Sequence, residues 1–68
     1  MRSYYIEFSR FAPLADYLAL AQTLLALGFV CYDSAGSANL GGTKEIDQYL
    51  QGVFASGVLA TNLWFIAG

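Results

Sequence analysis

Few residues in this chain could do chemistry, and their types narrow the possibilities quickly. There is no histidine, one cysteine (Cys31), and five carboxylates (Glu7, Asp16, Asp33, Glu45 and Asp47). A nucleophile needs a base and an orienting group within hydrogen-bond reach. Without histidine, and with the carboxylates at segment ends and in turns, no such set assembles, so the sequence argues against an enzyme. Cys31 has no basic neighbour in sequence to lower its pKa, so it reads as a core or lipid-facing thiol and not as a reactive nucleophile. It cannot form an internal disulfide, and no cysteine or histidine spacing suits zinc. Haem would lack its usual axial imidazole. Any pigment or lipid headgroup would have to be met by Asn62, by Gln22, by a backbone carbonyl or by water. These two amides are the weak cofactor candidates, and a helix–helix hydrogen bond explains each of them equally simply.

The elements that must position these residues are dominated by apolar composition. The chain has 68 residues, 57% hydrophobic and only 12% charged, with a net charge of −2. Globular proteins carry roughly 25% charged residues. The segment from Tyr17 to Tyr32 has no charge, and neither does the segment from Gln48 to the C-terminus. An apolar run of about 20 residues makes a helix roughly 30 Å long, enough to cross a bilayer's hydrocarbon core. The composition therefore predicts an all-α fold: a two-helix transmembrane hairpin with helices over about residues 12–32 and 46–67. Residues 1–11 form an interfacial arm, residues 33–45 a loop, and residues 1–68 together a single small unit. Pro13 and Asp16 suit the first turn of the first helix, and Thr43 with Glu45 and Asp47 suits the start of the second. Gly36, Gly41 and Gly42 mark the break between them.

Two further patterns fit the hairpin. Small residues recur at every fourth position, as Ala15, Ala19 and Thr23 in the first span and Gly52, Ser56 and Ala60 in the second. That spacing puts each set on one helix face, where backbones can approach closely. Aromatic residues fall near the predicted span ends: Tyr4, Tyr5, Phe8, Tyr32, Tyr49 and Trp64 read as interfacial anchors. Glu7 spoils the leader of a secretory signal, and Phe29 and Val30 occupy positions where a lipoprotein signal wants a small residue before its cysteine. Arg2 and Arg10 before the first span, against Lys44 alone in the loop, place both termini on the cytoplasmic side of a bacterial inner membrane or an organellar membrane.

The function expected from these readings is a small, non-catalytic accessory subunit of a larger membrane complex of the respiratory or photosynthetic kind. Its partners are larger membrane subunits and lipid. Three scattered cations exclude a nucleic-acid partner. Two alternatives share the outline. One is a protomer of a helical filament, as conjugative pilins are. The other is a soluble helical hairpin that oligomerises. An ion-translocating ring subunit is excluded, because Asp16 lies too near a span end and the second span has no acid.

Overall fold

A computed structural model describes residues 2–67; Met1 and Gly68, the two ends of the expected single unit, lie outside the described residues. The chain runs β1 (Ser3–Ser9), α1 (Leu14–Ala26), β2 (Phe29–Tyr32), β3 (Asn39–Leu40), α2 (Thr43–Ala55) and β4 (Ala60–Ala67). The fold is therefore α/β, and the all-α reading is corrected.

The four strands form one sheet in the order β1-β4-β2-β3, and each adjacent pair is antiparallel. Since β1 and β2 both oppose β4, they are parallel to each other with β4 between them. In the same way β3 and β4 are parallel with β2 between them. The chain is thus two interleaved split β–α–β units. β4 is the longest strand, and like β2 it belongs to one unit and lies between the strands of the other. Its register places Tyr5 opposite Trp64 on one side and Tyr32 opposite Trp64 on the other.

Each predicted span is a helix followed by a strand. Helix α1 stops at Ala26, and Gly28 follows with φ +94°. Helix α2 stops at Ala55, and Gly57 follows with the same φ. This left-handed conformation costs a side-chain-bearing residue about 1–2 kcal/mol, and it ends a helix by capping its last carbonyls. The amide of Gly28 reaches the Leu25 carbonyl at 3.0 Å, and that of Gly57 reaches the Phe54 carbonyl at 3.0 Å. Beyond each glycine the strands are rich in β-branched and aromatic residues, Phe29, Val30 and Tyr32 in one and Thr61, Trp64, Phe65 and Ile66 in the other, which favour a pleated surface. Each helix has 13 residues and a length of about 20 Å, well short of a bilayer core. No helix among the described residues is long and apolar enough to cross a membrane. The transmembrane hairpin and the integral-membrane location, whether bacterial inner membrane or organellar, with both termini on the cytoplasmic side, are accordingly withdrawn.

The expected interfacial arm is strand β1. Along it Tyr4, Ile6 and Phe8 alternate with Ser3, Tyr5, Glu7 and Ser9, the period-2 pattern of a sheet with two different faces. Helix starts came closer to expectation. Pro13 occupies the cap position before Leu14, and Asp16 sits in the first turn. Thr43 is the first residue of α2, with Gly42 at the cap position and Glu45 in the first turn.

Both helices cover one face of the sheet. The core contains Tyr17, Ala21 and Leu24 from α1, and Ile46 and Leu50 from α2. The strands add Phe8, Phe29, Cys31, Leu40, Leu63 and Phe65. Register lines up Tyr4, Phe65, Cys31 and Leu40 across all four strands on this covered face. Phe8 meets Tyr17 edge-on at 5.9 Å between ring centroids and Phe65 at 6.3 Å. No polar side chain is buried among the described residues except the partly covered tip of Tyr17, whose hydroxyl donates to Asp47 Oδ1 at 3.0 Å and ties α1 to α2.

The small-residue faces do not make this contact. Ala15, Ala19, Thr23, Gly52 and Ser56 are exposed, and Ala60 lies half-buried in β4. The helices meet through larger apolar residues, because in water the hydrophobic stripe sets which face turns inward.

Phe65 has no exposed surface. Phe65→Ala should cost about 3–5 kcal/mol, which is most of the stability expected for a chain of this size. Gln22→Ala, on the exposed side of α1, should stay within about 0.5 kcal/mol of wild type. Urea unfolding followed by circular dichroism checks both.

Candidate functional site

The face of the sheet opposite the helices carries the side chains that β1, β4, β2 and β3 turn away from the core. Alternation and register order them into rows across the strands. One row is Tyr5, Trp64, Tyr32 and Asn39. The next is Ser3, Ile66 and Val30, and on the other side Glu7 lies opposite Asn62. No helix packs here.

Trp64 is the centre of this face. Its ring lies against that of Tyr5, with centroids 4.2 Å apart and planes inclined at 30°. Its indole Nε1–H donates to the Ser34 carbonyl at 3.3 Å. That bond draws the β2–β3 loop over the sheet. The loop is itself closed by hydrogen bonds. The Asp33 amide donates to the Ala38 carbonyl at 3.0 Å, and the Gly36 amide to the Asp33 carbonyl at 2.9 Å. The Ser37 amide donates to Asp33 Oδ1 at 2.9 Å, and the Ser37 hydroxyl also reaches the Asp33 carboxylate. The Ser37 amide, with help from neighbouring backbone amides and the Ser37 hydroxyl, holds the Asp33 carboxyl below its ordinary range. Between loop and sheet lies a cavity of about 390 Å³, lined by Ser3, Tyr32, Gly36, Trp64 and Ile66.

A second apolar surface forms at the end of the molecule where β1 leaves the sheet and β4 enters it. The Arg10 amide donates to the Leu59 carbonyl at 2.8 Å, which holds the two turns side by side. Phe11 is 76% exposed there, Leu59 58%, Leu14 47% and Val58 42%. The Arg10 guanidinium lies 6.0 Å from the Phe11 ring centroid.

The residues singled out from sequence are distributed across these surfaces. Of the six expected anchors, Tyr5, Tyr32 and Trp64 come together in one row, although they belong to three separate strands. Phe8 is core, Tyr4 packs on Phe29 at 5.3 Å, and Tyr49 packs half-buried against the core. The two amides are not brought together: Gln22 is exposed on α1, and Asn62 is half-buried in β4 on the opposite side of the sheet. Sequence reading missed the loop over Trp64 and the Arg10–Leu59 hydrogen bond that joins the two ends of β1 and β4. Both depend on strand register, which a single apolar run does not reveal.

The titratable groups inside the fold are held in their neutral forms. Burial pushes the Cys31 thiol up to about 12, so it is no nucleophile at neutral pH. Burial, and then the Asp47 carboxylate, push the Tyr17 hydroxyl up to about 12. Among the described residues no group of three histidine, cysteine, aspartate or glutamate side chains could hold a metal ion. Both raised values favour folding below the unfolded pKa values of 9.0 and 10.0, and this stabilisation is lost as pH rises toward about 12. Urea midpoints should therefore be level near neutrality and fall from about pH 9 upward. Tyr17→Phe should flatten the later part of that fall. A midpoint that holds level to pH 11 would contradict the buried positions of both groups.

Compared with known protein families, with curated proteins and with solved structures, the chain matches none.

Proposed function

We propose that this chain is a non-catalytic interaction module that acts as a small subunit of a larger protein assembly. It docks through the apolar end formed by Phe11, Leu14, Val58 and Leu59. The observation that carries this reading is the exposure of four large apolar side chains: Phe11, Val58 and Leu59 on the two segments that the Arg10–Leu59 hydrogen bond joins, and Leu14 at the start of α1. Contiguous apolar surface of this kind marks interaction sites, whereas scattered single residues do not.

The chemistry of the patch also suits a protein partner. Phe11 supplies a large aromatic anchor, and Arg10 beside it supplies a cation that can be shared between the ring and a partner's acceptor. Aromatic and arginine residues at the centre of an apolar patch are where interface energy concentrates. The partner surface is therefore apolar, with an acceptor placed to meet Arg10. The protonated Cys31 and Tyr17 and the committed Asp33 carboxylate support a binding role over a catalytic one.

The test is affinity purification of the tagged full chain from its native source, as wild type and as the Phe11→Ser, Leu59→Ser double variant. Wild type should retain a protein partner in fixed stoichiometry. The double variant should lose it, with at least a ~30-fold weaker Kd, equivalent to ~2 kcal/mol. Its melting temperature should be unchanged, since both side chains are exposed. A wild type that purifies alone as a monomer, or a variant that keeps the same partner at the same affinity, contradicts the proposal.

A further inference from the structure

We infer that the cavity between the β2–β3 loop and the uncovered sheet face is a binding site for a small, neutral, planar aromatic molecule. It is separate from the docking end and does not depend on it.

Size comes first. The cavity holds about 390 Å³, at the lower end of the roughly 300–1,000 Å³ of small-molecule pockets. That suits one single or fused ring system. Shape comes next. Trp64, Ile66, Tyr32 and Ser3 line it from the sheet, and Gly36 lines it from the β2–β3 loop. A Cβ built on Gly36 would meet no atom within 4 Å, so this lining position has room beside it. A flat ring can lie against the indole here, with the offset or tilted geometry that aromatic pairs prefer.

The site is also built in advance. Trp64 is fixed twice, by Tyr5 on one side and by its bond to the Ser34 carbonyl. The loop is closed on itself through Asp33. A ligand therefore does not have to order either wall, and preorganisation of this kind lowers the entropic cost of binding.

Charge selects the ligand class. None of the five lining residues is charged. The nearby acid Asp33 is engaged by the Ser37 amide and hydroxyl, and the carboxylate of Glu7 stands on the same sheet face two positions from Tyr5. An anion would meet a negative surface with no lining cation to pair with. A cation would find no free carboxylate in the lining. A neutral ring loses least on entry, and the Ser3 hydroxyl leaves one place for a polar substituent.

Trp64 is the chain's single tryptophan, so its indole N–H gives one resolved resonance in a ¹H–¹⁵N spectrum. The full chain is titrated separately with indole, benzoate and choline as probes. Indole should shift the Trp64 Nε1–H and the amides of Ser3, Gly36 and Ile66 along one saturating curve. Benzoate and choline should leave them in place. Gly36→Asn adds a side chain at a residue that lines the cavity, at a φ of +73°, which asparagine tolerates. It should weaken the indole response at least tenfold. If that variant does not fold, as its own spectrum will reveal, Ser3→Phe on the edge strand blocks the same space. The Phe11→Ser, Leu59→Ser variant should bind indole like wild type. Shifts that never saturate, shifts centred on Phe11 and Leu59, equal responses to benzoate or choline, or an unweakened response in a folded blocking variant would each overturn the site.

Discussion

The fold depends on the pairing of β4 along both its edges. Residues 60–66 of β4 meet β1, and residues 64–67 meet β2. Both split β–α–β units close through this strand, so neither can form without it. Its inward residues Leu63 and Phe65 have no exposed surface and sit between the two helices and the sheet. Its outward residue Trp64 organises the other face. One strand near the C-terminus therefore fixes the core on one side and the cavity on the other. It also sets a long loop closure, because β1 and β4 are joined only after everything between them has been placed, and such contacts are costly to nucleate.

A chain of this size cannot cover all of its apolar surface. The helices shield one face of the sheet, and the remaining hydrophobic side chains must stay wet or find partners. Phe11, Leu14, Val58 and Leu59 are exposed near the end where β1 leaves and β4 enters the sheet, and Tyr5, Trp64 and Tyr32 share a row on the uncovered face, while Leu20 and Leu27 of the α1 region are exposed elsewhere. The high hydrophobic content that suggested lipid is divided between a full core and these exposed positions. The docking end is built from the segments that flank β1 and β4 and from the first residue of α1. The cavity is roofed by a loop that its own hydrogen bonds hold in shape. The two surfaces suit different occupants for that reason.

Part of this was legible in the residues. Pro13 with Asp16, and Thr43 with Glu45, marked both helix starts: the first was expected at about residue 12 and begins at Leu14, and the second was expected at about residue 46 and begins at Thr43. Cys31, read as a core or lipid-facing thiol at the end of a span, is a buried free thiol in strand β2. The strands were not legible from hydrophobicity, because a short apolar run is equally compatible with a buried helix and a buried strand. What distinguished them was punctuation and branching. Gly28 and Gly57 each end a helix, and Val30 and the stretch Thr61 to Ile66 carry the β-forming types that follow. The alternation of Tyr4, Ile6 and Phe8 with Ser3, Glu7 and Ser9 was a strand signal that the tyrosines and arginines disguised as a membrane-surface arm. The aromatic row and the loop over Trp64 had no local signature, since they join residues 30 or more positions apart in the chain.

The claim on which all of this rests is that each apolar run is a helix followed by a strand, with β4 inside the sheet. Nuclear Overhauser contacts across the sheet test it most directly. The fold requires cross-strand backbone contacts between Tyr5 and Trp64, and between Tyr32 and Trp64, together with slowly exchanging amides at Leu63 and Phe65. An unbroken series of helical i to i+3 contacts from Tyr49 through Ala67, with no contact between Trp64 and either tyrosine, would contradict it.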